Sequence, residues 1–303
     1  MNRFRNWIQA FRLRTLPLAL SSAILGSFLA YADGRFNLAV FVLAITTTIF
    51  LQILSNLAND FGDSQHGTDN VNRVGPERTV QSGKIAKSEM KRLIALFVIL
   101  SLVSGGLLIF SGINNANAGL ILLFFGLGIA SIIAAIKYTV GRSPYGYSGM
   151  GDLFVFIFFG LLGVCGTYFL HTNQFEPLLL LPAASVGLLS AGVLNLNNMR
   201  DIENDAASGK RTLVVRMGSK NAKLYHALLI ILSPVLSVVY VIKTWQSVYQ
   251  LMFLLSVFPL GFHLYEVYQN HVPNKLNNQL KVLALTTFFY SVTYSIGVFL
   301  IKW

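Results

Sequence analysis

The chain has 303 residues, 54% of them hydrophobic and only 12% charged, with a formal net charge of +11. A water-soluble domain carries about twice that charged fraction, so the composition excludes an ordinary soluble fold. The excess of base does not point to nucleic acid, because Lys and Arg lie between apolar runs, as loop anchors at an anionic membrane surface do.

In chain order, nine apolar stretches run roughly over 15–32, 38–58, 91–112, 118–137, 151–170, 177–199, 223–243, 248–268 and 282–301. Each approaches the length that crosses the hydrocarbon core of a bilayer as a helix. The runs are uniformly apolar rather than alternating, which disfavours transmembrane β-strands. Pro182, Pro234 and Pro259 fall inside them, as neighbouring helices in a membrane allow. The expectation is an all-α, polytopic membrane protein with nine transmembrane helices, residues 1–303 forming one membrane domain. The basic N-terminus followed by Ala30-Tyr31-Ala32 imitates a cleaved signal peptide, but Leu16–Ala32 is longer than a signal core and is expected to stay as the first span. The single cysteine, Cys165, lies within the fifth run, so an internal disulfide and a cysteine metal site are both excluded.

Orientation follows from the basic residues. With the N-terminus in the cytoplasm, 20 of the 23 Lys and Arg residues, among them those from Arg73 to Arg92 and from Arg200 to Lys223, fall on the cytoplasmic side. Only Arg35, Lys243 and Lys302 fall elsewhere. This partition predicts a cytoplasmic N-terminus and an outside C-terminus.

The 12 acidic residues are unevenly placed. One cluster closes the second run: Asn56, Asn59, Asp60 and Asp63, then Asp69. Another closes the sixth: Asn197, Asn198, Arg200, Asp201, Glu203 and Asp205. On a helix Asn56, Asp60 and Asp63 share one face, as do Asn198, Asp201 and Asp205. Carboxylates beside hydrocarbon are expensive and mark a partner or a function. Two such clusters facing one another suit Mg²⁺, which takes a few carboxylates and completes its shell with water and phosphate. Zinc is disfavoured, because His66, His171, His226, His263 and His271 are scattered and no cysteine pair exists. The loops that follow are basic, with Arg78 and Lys84 after the first cluster and Lys210 and Arg211 after the second. Acid, then metal, then base at the mouth of an apolar bundle suits a ligand with a diphosphate head and a hydrocarbon tail. The plainer reading, helix-end caps with loop bases that set topology, stays open beside it, as do a transporter and a non-catalytic lipid-binding scaffold.

At these residues the sequence resembles the UbiA superfamily of intramembrane prenyltransferases. The resemblance rests on Asn59-Asp60-Phe61-Gly62-Asp63 with Asp69, and on Asp201-Ile202-Glu203-Asn204-Asp205. Further stretches, Arg14-Thr15-Leu16-Pro17-Leu18, Tyr145-Gly146-Tyr147 and Gly209-Lys210-Arg211-Thr212, look most like the branch that prenylates 1,4-dihydroxy-2-naphthoate. One departure is visible: Asp69 follows Asp63 by six residues rather than four, with Gly67 between, which takes it onto a loop. The resemblance implies a ring of helices around a central, lipid-open cavity in the cell (inner) membrane. It implies Mg²⁺ as cofactor, held by Asp60, Asp63, Asp201 and Asp205, with Asp69 as a further candidate ligand. Asn56, Asn59, Asn197, Asn198 and Arg200 would complete the polar shell, and Arg78, Lys84, Lys210 and Arg211 would neutralise the departing diphosphate. Lys137 and Tyr138 would orient the acceptor, and Tyr138, Tyr145, Phe154 and Phe158 would shelter an allylic cation. The implied partners are polyprenyl diphosphate, 1,4-dihydroxy-2-naphthoate and membrane lipid, with no obligate protein partner. Another aromatic acceptor, 4-hydroxybenzoate or homogentisate, is the alternative within the superfamily.

Overall fold

The computed structural model describes residues 2–68, 74–113 and 117–301. Asp69, Arg73 and Lys302 therefore lie outside the described residues. In chain order the helices are α1 (Asn2–Phe11), α2 (Leu16–Ala32), α3 (Leu38–His66), α4 (Lys87–Gly112) and α5 (Ala118–Lys137). The fifth span combines α6 (Gly151–Val155), a π-helix over Phe156–Gly166 and α7 (Thr167–Thr172). Then come α8 (Leu180–Arg200), α9 (Ile202–Ala207), α10 (Leu213–Lys243), α11 (Val257–Gln269) and α12 (Leu276–Leu300). Among the described residues nine helical stretches are long and apolar enough to cross a membrane, which defines an all-α multi-pass membrane protein.

Local chemistry sets the helix ends. Asn37 starts α3 by accepting from the backbone N–H groups of Ala39 at 2.9 Å and Val40 at 3.3 Å. Gly67, at φ 70°, ends the same helix in the left-handed region that favours glycine. Asn117 and Thr212 cap α5 and α10 in the same side-chain manner. The helix α3 runs beyond the apolar stretch read from the sequence. Its 29 residues span ~44 Å at a rise of ~1.5 Å per residue, so its last turns outrun a ~30 Å hydrocarbon core and carry Asn56 to Asp63 into the polar zone.

The sixth span differs from the single helix expected through Asp205. It stops at Arg200, turns at Asp201 (φ −98°, ψ 13°) and resumes as α9. Hydrogen bonds from Asp201 N to Asn197 O (3.2 Å) and from Asp205 N to Asp201 O (2.8 Å) carry the chain through the break, so the two carboxylates stay neighbours.

The fully buried core gathers Leu25, Val186, Leu189, Ile230, Phe253, Leu283, Tyr290 and Tyr294 from α2, α8, α10, the segment before α11, and α12. The π-helix meets α8 almost backbone to backbone, since a Cβ on Gly160 would lie 2.6 Å from the Cα of Gly187. The outward faces are the reverse of a soluble protein's, with Phe258, Leu122 and Ile242 exposed. In hydrocarbon such faces cost nothing and leave the small-residue and hydroxyl contacts to hold helices together; Ser185 Oγ, for example, donates to Ser233 O at 2.7 Å. The N-terminal helix lies at the end that carries the acidic motifs, where Asn6 Nδ2 donates to Lys84 O at 3.2 Å. At the other end Phe299 stacks on Tyr31 with ring centroids 5.1 Å apart.

Candidate active site

The acids of α3 face inward at its polar end. Asp60, 1% exposed, accepts at Oδ2 from the Thr79 backbone N–H (3.1 Å) and from its hydroxyl (2.6 Å). One turn on, Asp63 accepts at Oδ1 from Tyr147 OH (2.9 Å), and the Arg78 guanidinium stands 3.7 Å from Oδ2. Close packing fixes this stretch, since a Cβ on Gly62 would lie 2.6 Å from the Thr139 backbone. Opposite, Arg200 holds Asp201 through two parallel bonds, Nε to Oδ1 at 2.9 Å and Nη2 to Oδ2. The same guanidinium reaches Asn197 Oδ1 at 2.9 Å and Asn277 Oδ1 at 3.0 Å. Asp205 lies 3.4 Å from the Lys210 ammonium. All four aspartates, with Asn59, Arg78, Tyr138, Asn197, Arg200 and Lys210, line one cavity of about 520 Å³.

Burial pushes the Asp205 carboxyl up to about 6, against the pull of the Lys210 charge. Burial alone would lower Lys210, but the fields of Asp205 and Asp63 prevail, and its ammonium is held above the usual lysine range. Burial and then the Asp63 charge raise the Tyr138 and Tyr147 phenols, so both stay protonated at neutral pH.

Six residues proposed from the sequence stand elsewhere. Lys137 is exposed at the end of α5 and absent from the cavity wall, because the helix turns the neighbouring Tyr138 inward instead. Lys84 is exposed and its ammonium is taken by Glu77. Arg211 is exposed too, and its backbone N–H serves Tyr147 O at 3.0 Å. Asn56 turns toward the N-terminal segment, where its amide donates to Phe11 O and Thr15 Oγ1, both at 2.9 Å. Asn198 is buried off the cavity wall, and Tyr145 lines a second, apolar chamber. Asp69 lies outside the described residues. The sequence reading also missed wall residues: Arg12, Arg14, Thr15, Gln52, Thr79, Asn277 and Lys281. Gln52 carried a usable signal, as a polar residue inside an apolar run is expensive. Arg14 and Thr15 enter the sequence reading through the stretch that carries the resemblance, Lys281 only through the charge partition, and Thr79 has no signal.

The apolar chamber, about 330 Å³, opens between α2, α3, α4, α5 and the π-helix. Tyr145 and Phe154 stack on its wall at 4.1 Å, with Phe158 6.1 Å beyond. Gln52, Asn59, Tyr138, Val155, Phe159 and Leu194 line both cavities and so mark their junction.

The donor set fits a hard divalent cation. Asp60 Oδ1 and Asp205 Oδ2 are buried carboxylate oxygens with no hydrogen-bond partner, and a carboxylate oxygen can only accept. Among the described residues no three carboxylate or imidazole groups converge as a ready cage. That suits an ion that draws much of its shell from water and a phosphate ligand.

Among the described residues, nine membrane-length helices and an acid-and-base cavity that shares its wall with an aromatic-lined apolar chamber define a multi-pass membrane protein with a polar site inside its bundle. The chain belongs to the UbiA prenyltransferase family, whose model matches residues 19–292. It is 43% identical over 297 residues to 1,4-dihydroxy-2-naphthoate octaprenyltransferase of Haemophilus influenzae, covering 97% of this chain and 96% of that one. The protein of the same name from Escherichia coli is 40% identical over 303 residues, covering 100% and 98%. A solved structure of a UbiA homolog from Archaeoglobus fulgidus bound to DMAPP and Mg²⁺ shares the fold at a TM-score of 0.58, with 18% identity over 94% of this chain and 99% of that one.

Proposed function

We propose that this protein transfers a polyprenyl group from polyprenyl diphosphate to 1,4-dihydroxy-2-naphthoate, releasing diphosphate and CO₂ and giving demethylmenaquinol. The observation that carries the reading is the junction: a cavity rich in carboxylates and bases adjoins an apolar chamber across a shared wall, as a diphosphate joined to a hydrocarbon tail requires. The relatives from Haemophilus influenzae and Escherichia coli, which match over nearly their whole length, support the naphthoate acceptor by name.

Asp60, Asp63, Asp201 and Asp205 would hold Mg²⁺, which when bound supplies positive charge against the diphosphate. Arg78 and Lys210 add fixed positive charge on the same wall, which favours departure of an anionic leaving group. The allylic C–O bond breaks with its electron pair leaving on the diphosphate. Tyr138, Phe154, Phe158 and Phe159 line the apolar chamber, and their π-systems would shelter the resulting cation. The ring carbon bearing the carboxylate attacks, and loss of CO₂ returns the bonding pair to the ring and restores aromaticity. The protein would sit in the cell membrane with the acidic end facing the cytoplasm, as the distribution of Lys and Arg argues.

With carboxyl-labelled dihydroxynaphthoate and excess prenyl diphosphate, one labelled CO₂ is expected per diphosphate. Prenylated product that keeps the label would move the acceptor to the hydroxybenzoate type, where a proton leaves instead. A transporter is disfavoured because the acids cluster at one end of the bundle rather than at mid-span. Diphosphate release would separate the two.

A further inference from the structure

We infer that the side-chain carbonyl of Gln52 recognises a ring hydroxyl of the aromatic acceptor; the inference rests on the prenyl-transfer reading above. Gln52 lies on α3, two turns before Asp60, and lines both cavities at their junction. Its amide orientation is imposed by a chain of hydrogen bonds that ends in two backbone carbonyls. Thr15 Oγ1 spends its single proton on Arg12 O at 2.9 Å. Asn56 Nδ2 donates to Phe11 O and to Thr15 Oγ1, both at 2.9 Å, which turns Asn56 Oδ1 toward Gln52. Two acceptors, Thr15 Oγ1 at 3.1 Å and Asn56 Oδ1 at 3.4 Å, therefore face Gln52 Nε2. Reversing the amide would set oxygen against oxygen at both contacts. Gln52 Oε1 is left as the polar atom that the side chain presents to the cavity.

What this atom can bind is restricted by its chemistry. A neutral amide oxygen repels a phosphate or carboxylate oxygen and takes either a donor or a hard cation; on α3 it stands ~12 Å along the helix axis from Asp60, away from a cation held among the aspartates, which leaves a donor. An ionised prenyl diphosphate has no donor at its head and none on its tail. Of the two substrates only the dihydroxylated aromatic ring carries O–H groups. The junction is also where the first carbon of the prenyl chain must lie if the head sits among the aspartates and the tail in the apolar chamber. An O–H held by Gln52 beside Tyr138 and Phe159 sets the ring against that carbon. The hydrogen bond draws the hydroxyl proton outward and enriches the ring that attacks. Gln52 is thus an acceptor-recognition residue on the same helix as the diphosphate-binding acids.

The test compares wild type with Gln52→Met, which keeps the side-chain length and removes the carbonyl. Dihydroxynaphthoate serves as substrate, and 1-hydroxy-2-naphthoate and 4-hydroxy-2-naphthoate, each missing one hydroxyl, serve as competitive inhibitors. Wild type is expected to bind one analogue about tenfold more weakly than the other, the size of a single lost hydrogen bond. In Gln52→Met that gap should close to under about twofold. The KM for dihydroxynaphthoate should rise about tenfold, and the KM for polyprenyl diphosphate should stay within about twofold. A merely structural role would weaken both analogues alike and leave the gap open. Equal binding of the two analogues by wild type overturns the inference even if the variant fails to fold, as does a gap that survives in Gln52→Met. Wild type that ignores dihydroxynaphthoate yet prenylates another phenol sinks the naphthoate reading instead, and the Gln52 contact is then judged with that phenol and its deoxy analogue.

Discussion

Tyr147 ties the two acidic motifs together through Asp63. Its hydroxyl donates to Asp63 Oδ1 at 2.9 Å and meets the Thr68 hydroxyl, while the Lys210 ammonium lies 5.4 Å from its ring centroid. The loop after α5 is thereby bonded to the first motif and packed against the base that partners Asp205 in the second. Nearby, Asn204 Nδ2 donates to Thr68 O at 2.8 Å and closes the same seam.

Tyr147→Phe keeps the ring under Lys210 and removes the hydroxyl. Asp63 lines the cavity and its freed oxygen can be rehydrated, so the loss sits at the low end for a bond to a charged group, ~1.5 kcal/mol. Thermal unfolding in detergent should shift down by a few degrees, and activity should fall less than about tenfold. A loss as large as that of Asp63→Asn would mean that Tyr147 touches the reacting groups.

Replacing Asp60, Asp63, Asp201 or Asp205 by Asn should cut turnover at least about a hundredfold, a few kcal/mol of leaving-group stabilisation, while the protein still inserts and purifies. EDTA should abolish activity, and Mg²⁺ or Mn²⁺ should restore it. Asp69→Asn should be milder, since Asp69 follows Asp63 by six residues rather than four. Full turnover in chelator would falsify the metal assignment.

The sequence carried the site wherever helix periodicity did the placing. Asp60 and Asp63 lie on one turn of α3, and their shared face is written in their spacing. Asn56 has the same periodicity but lost its expected place, because Phe11 and Thr15 compete for its amide and no spacing encodes a contact across 41 residues. Thr79 reaches Asp60 from a loop, and loop paths have no period to read. Lys137 was misplaced by one residue's worth of rotation: about 100° along a helix separates a side chain in the cavity from one outside it. Span number was legible because bilayer thickness sets a length that composition exposes, whereas the turn at Asp201 left no such trace.

The sidedness of the bundle can be read by cysteine labelling after Cys165→Ser. Thr68, at the motif itself, is buried and a poor reporter, but Ser82 is exposed at the acidic end and Gln246 at the opposite one. Ser82→Cys should react with an impermeant maleimide only in inside-out vesicles, and Gln246→Cys only in intact cells. The reverse pattern would overturn the orientation that the Lys and Arg distribution predicts.

The apolar chamber should respond to filling in a way that depends on the length of the prenyl chain. Gly128 on α5 faces it, and a Cβ placed there would meet nothing within 4 Å, so a larger side chain is accommodated without displacing backbone. Gly128→Phe puts a ring where the tail is expected to run, and exchanging Gly for a side-chain-bearing residue in a helix interior does not weaken the helix. The first isoprene unit, expected at the junction that Tyr138, Phe159 and Leu194 line, should be untouched, because Gly128 lies more than two turns along α5 from Tyr138. Turnover of dimethylallyl diphosphate, one unit long, should therefore stay within about twofold of wild type. For an octaprenyl donor kcat/KM should fall at least about tenfold, the loss of slightly less than two buried methylenes at ~0.8 kcal/mol each. Equal losses for both donors would mean that the ring distorts α5 itself. No loss for either would mean that the tail leaves the junction by another route, and the chamber between α2, α3, α4, α5 and the π-helix would not be its path.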